Sequence, residues 1–207
     1  MHIALLGDSI LDNKAYTNGE PDVATHLSRL LPSDGVNLCA IDGSTTVHLQ
    51  PQLARVPSEA SHIVLSIGGN DALMNLDMLS LPVGSTTEAL FLFRDRIRAF
   101  ETSYRAALKA TLALGRETAI CTIYNGDLDP LQADPARIAL MMFNDVILRC
   151  GFECGLSIID LRLICIEKSD YANPIEPSGS GGLKIAKAIA GWLGRSGHKP
   201  SATVFLG

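Results

Sequence analysis

Ile3-Ala4-Leu5-Leu6-Gly7-Asp8-Ser9-Ile10 is the stretch that decides the fold. Four apolar residues with no polar alternation read as a strand buried on both faces, as in a parallel sheet covered by helices. Glycine follows where the strand hands over to a turn and backbones crowd. Ser9 then stands at the sheet edge beside a helix N-terminus, whose N–H groups favour negative charge and suit an oxyanion hole for acyl transfer. The plainer reading of the same residues is an ordinary turn with a capping serine.

Working outward, short apolar runs bounded mostly by Gly, Asp, Asn or Ser recur over 36–41, 63–67, 119–124 and 156–161. Helical stretches separate them. One opens at Pro21 and runs to about Leu31. Another starts at Ser85, with Glu88 completing a capping box, carries Leu90, Phe93, Ile97, Phe100, Tyr104, Leu108 and Leu112 on one face, and stops at Gly115. A third has Asp134 as N-cap and Pro135 at its first position, and continues to about Cys150. The last follows Gly181-Gly182 and passes through Ile185, Ile189 and Trp192. Five strands with helical crossovers predict an α/β fold built on a doubly wound parallel sheet, with residues 1–194 as one domain and 195–207 as a loose C-terminal tail. Ligands of such sheets bind beyond the carboxyl ends of the strands, so the chemistry is sought there.

Composition narrows the function classes. The 207 residues are 47% hydrophobic, carry a net charge of −5 and contain no run of Lys or Arg. That argues against a nucleic-acid groove and against an anionic-membrane face. No apolar stretch approaches the roughly 20 residues of a membrane span. The N-terminus has neither a basic n-region nor a small-residue cleavage site, which predicts a cytoplasmic chain. The five cysteines are odd in number and read as structural thiols. No spacing suggests a metal site, and no cofactor is expected.

Two further turns join the first. Asp42-Gly43-Ser44-Thr45-Thr46 follows the second strand, where Gly43 offers an unobstructed backbone N–H and Ser44 or Thr45 caps the next helix. Gly68-Gly69-Asn70-Asp71 follows the third, and Asn70 can aim a side-chain amide into the same crevice. Each alone is most simply a turn or a cap, but all three in this order resemble the SGNH (GDSL-type) hydrolase family. Ser9 matches its nucleophile, with Ile10 in place of Leu, Gly43 its glycine and Asn70 its asparagine. The resemblance spans residues 3–192. It implies a flavodoxin-like three-layer α/β/α fold with a five-stranded parallel sheet, and an oxyanion hole formed by the N–H groups of Ser9 and Gly43 with the Asn70 amide. It also implies an esterase- or lipase-like acyl hydrolase acting on a small-molecule ester.

The fourth family element departs from the pattern. Where the family has Asp-x-x-His-Pro, this chain has Asn173-Pro174-Ile175-Glu176-Pro177, so Glu176 occupies the place of the histidine and Asn173 that of its orienting aspartate. No histidine lies within twenty residues of Glu176 on either side. Nothing in the pattern gives a role to His2, His26, His62 or His198, and His48 falls on a helix near the glycine turn. Three readings stand. Glu176 is the general base, with burial beside Ile175 raising its pKa toward that of an imidazole. Or the protein is a catalytically impaired pseudoenzyme that binds an acyl or ester ligand. Or Glu176 is structural, bonded to the glycine-rich turn that follows. Asp8 reads as a residue that organises its turn, and Asp12 and Asp71 as supporting or capping groups.

Overall fold

A computed structural model describes residues 1–195 and the backbone of Val204–Phe205. Five strands, β1 (His2–Gly7), β2 (Gly35–Leu38), β3 (His62–Ser66), β4 (Glu117–Cys121) and β5 (Ser157–Ile159), form a parallel sheet in the order β2-β1-β3-β4-β5. A two-residue strand, β6 (Val204–Phe205), adds beside β5. Residues 196–203 and 206–207, where the sequence predicts a loose tail, lie outside the described residues.

The strand residues alternate between two cores because successive side chains leave opposite faces. Ile3, Leu5, Val64, Ala119 and Ile159 pack with Val23 and Leu27 of α1 (Val23–Leu30) and with Ile185, Ile189 and Trp192 of α6 (Gly179–Leu193). Ala4, Leu6, Ile63, Leu65, Ile120 and Ile158 pack on the other face. There they meet Leu49 and Leu53 of α2 (Leu49–Leu53), Phe100, Tyr104 and Leu108 of α4 (Thr86–Leu112), and Phe143, Val146 and Ile147 of α5 (Pro130–Glu153). The short α3 (Gly69–Leu73) follows β3. The result is the expected flavodoxin-like α/β/α arrangement, with its strand order reversing between β1 and β3.

Several element boundaries move. Helix α1 begins after Pro21, because Asp22 is the cap and accepts from Thr25 N at 2.7 Å. Helix α5 begins five residues earlier than Asp134-Pro135 suggests. Asp129-Pro130 carries the same cap signature, and Asp129 accepts from Leu131 N. Pro135 therefore sits inside the helix and leaves the Leu131 carbonyl without an intrahelical donor, at a residue 89% exposed where that costs little. Ser85 caps α4 as predicted, but Glu88 bonds the N–H of Gly84 rather than that of Ser85. Leu90, assigned to the buried face, is exposed. A 27-residue helix is about 40 Å long, more than twice the length of a five-residue strand, so its first turns extend past the surface they pack on.

Backbones crowd at the end of β1. Gly7 has φ +138°, and a Cβ there would lie 1.7 Å from the carbonyl oxygen of Ser66. Gly7→Ala therefore combines a disfavoured backbone conformation with a steric clash and should destabilise the protein by about 3 kcal/mol or more, read as a lowered urea midpoint.

Candidate active site

Ser9 is placed by the chain around Gly7. The Gln52 carboxamide, fully buried on α2, accepts from Gly7 N at 2.8 Å and donates to Gly7 O at 2.7 Å, pairing with both polar groups of that residue. Asp8 N donates to Ser66 O at 3.1 Å, and the Asp8 carboxylate accepts from Ile10 N at 3.1 Å, which closes the turn over Ser9. Asp8 thus bonds the backbone of its own turn through both its main chain and its side chain.

The loop bearing Glu176 is held from several sides. Asn173 Oδ1 accepts from the N–H groups of Ile175 and Glu176 at 3.0 and 2.9 Å. Tyr124 donates to Ile175 O at 2.7 Å, Ala172 N to Glu176 O at 2.8 Å, and Asn13 Nδ2 to Pro177 O at 3.1 Å. In this setting the Ser9 hydroxyl donates to Glu176 Oε1 at 3.1 Å, with both residues 6% exposed. Asn173 therefore fixes the backbone of the loop and not the Glu176 carboxyl, whose Oε2 is buried without a hydrogen-bond partner. The glycine-rich turn that follows is capped by Ser178 rather than by Glu176.

The other two turns are tied to each other. Asn70 Nδ2 donates to Ser44 O at 2.9 Å, which leaves its second amide hydrogen available. Asp71 accepts from Thr46 N at 3.0 Å and from its hydroxyl at 2.6 Å, while Asp12 accepts from Asp42 N at 3.0 Å. Ser9, Asp8, Asn70 and Glu176 share the lining of one cavity of about 440 Å³. Gly43 is not in that lining and sits on an exposed turn, φ +75°, one residue before the carbonyl that holds Asn70. Among the described residues, neither the N–H of Ser9 nor that of Gly43 donates to a protein acceptor. His48 is engaged in its own cap with Thr45, and His26 bonds Gly179 O at 3.0 Å. No histidine lines the cavity, and His198 lies outside the described residues.

Charge at this edge of the sheet is unusual. Burial raises the Asp8 carboxyl from its ordinary 3.8 to about 7, against the pull of its backbone hydrogen bonds and reinforced by the nearby Glu176 and Asp71. Burial likewise raises Glu176 from 4.5 to about 7, opposed by the Ser9 hydrogen bond and helped by the charge of Asp42. Among the described residues, Asp8 Oδ2, like Glu176 Oε2, has no hydrogen-bond partner. The pair gives a hydroxyl already bonded to a carboxylate of elevated basicity, the arrangement in which a serine can surrender its proton as it attacks.

Sequence reasoning misses Gln52, Asn13 and Tyr124, which hold the two halves of the site. Their signal is faint. Gln52 is a polar residue facing inward from an otherwise apolar helix flank, and Asn13 is fully buried, but neither pattern names a partner.

The profile of the GDSL-like Lipase/Acylhydrolase family matches residues 5–181. No curated protein sequence matches the chain. Solved structures of similar fold include an acetyl xylan esterase, with TM-score 0.70 and 15% identity over 93% of this chain and 100% of that one. A lipolytic protein of the G-D-S-L family from Veillonella parvula gives 0.70 and 15% over 94% and 99%. A phospholipase A1 from Streptomyces albidoflavus gives 0.63 and 16% over 90% and 98%. At these identities the likeness is one of fold.

Two buried carboxyls with raised pKa make stability depend on pH. Between about 4 and about 7 the folded chain keeps protons that the unfolded chain has released, so this contribution is complete below the unfolded values and is lost as pH rises through 7. Asp8→Asn cannot ionise. From pH 5 to pH 8 the parent should lose stability relative to this variant by on the order of 2 to 4 kcal/mol in urea titrations. A parent–variant difference that is constant with pH would exclude a proton held at Asp8.

Proposed function

We propose that this chain, which belongs to the GDSL-like lipase/acylhydrolase family, cleaves acyl esters with Ser9 as nucleophile and Glu176 as the group that takes its proton. The observation that carries this reading is the buried hydrogen bond from Ser9 Oγ to Glu176 Oε1 at 3.1 Å. As Ser9 Oγ bonds to the ester carbonyl carbon, its proton passes to Glu176 and the carbonyl oxygen becomes an oxyanion. The N–H groups of Ser9 and Gly43 and the second hydrogen of the Asn70 amide are the donors for that charge. Collapse breaks the bond to the alcohol, which leaves with the proton from Glu176, and the acyl group stays on Ser9. Water then attacks the acyl-enzyme, gives its proton to Glu176 and releases the carboxylic acid, and Ser9 regains its proton. A carboxylate with its pKa near 7 is matched to this role at neutral pH.

The competing reading, a non-catalytic binder of acyl ligands, draws on the unpartnered Oε2 of Glu176: no third group orients this base as an aspartate orients an imidazole. The two readings part on simple assays. Labelling of Ser9 by a fluorophosphonate and turnover of a p-nitrophenyl ester, both lost in Ser9→Ala, are expected of the hydrolase. Glu176→Gln should lower kcat by about 10²- to 10⁴-fold. The parent rate should rise with pH through about 7, because only the ionised carboxylate accepts a proton, and that limb should vanish in the variant. Parental activity in Glu176→Gln would overturn the assignment of the base.

Asn70→Ala should lower kcat by about 10²- to 10³-fold with little change in KM, since an oxyanion donor acts mainly in the transition state. In the non-catalytic case the parent turns over nothing, and only the double change Asn173→Asp with Glu176→His, which rebuilds the family pattern, gains activity.

A further inference from the structure

The segments that leave the carboxyl ends of the five strands, residues 8–22, 39–48, 67–85, 122–129 and 160–178, hold thirteen Asp or Glu and three Lys or Arg, whereas the whole chain has 22 and 17. The charge of this edge is therefore strongly negative. Arg162 is paired with Asp160 and Lys168 with Asp127, which leaves Lys14 as the third cation. Among the described residues, Asp12, Asp42 and Glu176 form no ion pair, with Lys14 or with any other cation.

These three acids meet around Tyr16. Asp42 N donates to Asp12 Oδ2 at 3.0 Å, and the Tyr16 hydroxyl donates to Asp42 Oδ2 at 2.7 Å. The Tyr16 hydroxyl is pushed up to about 12 by that bond and by burial, with the charges of Glu176, Asp42 and Asp12 adding. Glu176 supplies an independent sign of a missing partner. It is 6% exposed, lines the cavity at Ser9, and its Oε2 has no hydrogen-bond partner among the described residues. A buried carboxylate without a partner is stabilised by a cation brought up beside it. No three acids, histidines or cysteines among the described residues are grouped to hold a metal ion. A single positive charge spread over a larger group fits instead, because a tyrosine ring attracts a weakly hydrated organic cation and the carboxylates add to the attraction.

We propose that the ester cleaved at Ser9 has a cationic alcohol, an organic ammonium held by Asp42, Asp12 and the Tyr16 ring. The proposal rests on the reading of Ser9 as nucleophile and Glu176 as base. Glu176 returns its proton to the leaving oxygen, so the alcohol leaves on the Glu176 side of Ser9, where Asp42 and Tyr16 stand. The titratable groups that face Glu176 are Asp8 after β1, Tyr16 before α1, Asp42 after β2 and Tyr124 after β4. All are acids, and none supplies a positive charge. An ammonium beside Glu176 favours its ionised form, so the bound substrate readies the base that its own cleavage requires.

Butyrylcholine and its uncharged carbon isostere, 3,3-dimethylbutyl butyrate, test the site. The parent should show kcat/KM about tenfold higher for the choline ester at low ionic strength, a preference that shrinks as salt is added. Asp42→Asn keeps an acceptor for the Tyr16 hydroxyl but removes the charge, and should lower the ratio of the two esters by about two- to fivefold. Tyr16→Leu should lower it as well, while Tyr16→Phe, which keeps the ring, retains most of it. For the choline ester the pH limb of kcat, which reports the bound enzyme, should lie below that of kcat/KM, and for the isostere the two should coincide. Independently of turnover, calorimetric titration of Ser9→Ala should show choline binding more tightly than 3,3-dimethyl-1-butanol, with the preference lost when Asp42→Asn is added. Ester turnover without a preference for the choline ester, or a preference that survives Asp42→Asn and Tyr16→Leu together, would overturn the cation site and leave the hydrolase standing. Selective choline binding without turnover of any ester would overturn the hydrolase and leave the cation site standing.

Discussion

The approach of β1 to β3 at Gly7 is the constraint on which the site depends. The two backbones come so close there that a single added carbon would strike the Ser66 carbonyl. The chain is turned out of the sheet at that point, and Gln52 holds both polar groups of Gly7 so that the turn cannot relax. Ser9 is thus delivered to the carboxyl edge with its hydroxyl facing the loop before α6. The interaction is backbone geometry stiffened by one side-chain amide, and no charge is involved. A buried neutral pairing of this kind carries no penalty for desolvating an ion, so it holds at any pH where the protein is folded.

Onto that rigid edge the fold places two buried carboxyls that form no ion pair among the described residues. Glu101 is the opposite case: it lies between Arg105 and Arg149, whose guanidiniums hold its pKa at about 2. At Asp8 and Glu176 burial keeps the pKa values near neutrality. The contrast comes from surroundings alone, since the side chains are of the same chemical type. It also accounts for the loop architecture. With nothing paired to the Glu176 carboxyl except the Ser9 hydroxyl, its position must come from the backbone, and Asn13, Tyr124, Asn173 and Ala172 all bond the main chain of 175–177.

Much of this was legible in the sequence, for identifiable reasons. β1, β3, β4 and β5 lie in apolar runs and so stood out, whereas β2 is half-buried and interrupted by Asn37; Gly7 and Gly68 marked turns, and both have positive φ. Glu176 was marked by its place in a motif. The helix starts were less legible where a local signature repeats, as with Asp129-Pro130 and Asp134-Pro135, because only packing chooses between them. Leu90 looked like a core residue because periodicity reports which face a side chain takes and not whether anything covers that face. Gln52 and Asn13 were silent because a polar residue acquires meaning only through a partner distant in sequence.

The bond between Ser9 and Glu176 joins positions 167 residues apart. Closing so long a loop gains little until the sheet has already aligned both ends, so this contact is a product of folding and not a guide to it. The fold reaches its native arrangement through the glycine turn, the two cores and the main-chain ties of the last loop, none of which needs a particular side chain at residue 176. Chemistry at that position is in this sense uncoupled from architecture. Variation at that position can therefore alter the chemistry it offers while the scaffold stays unchanged.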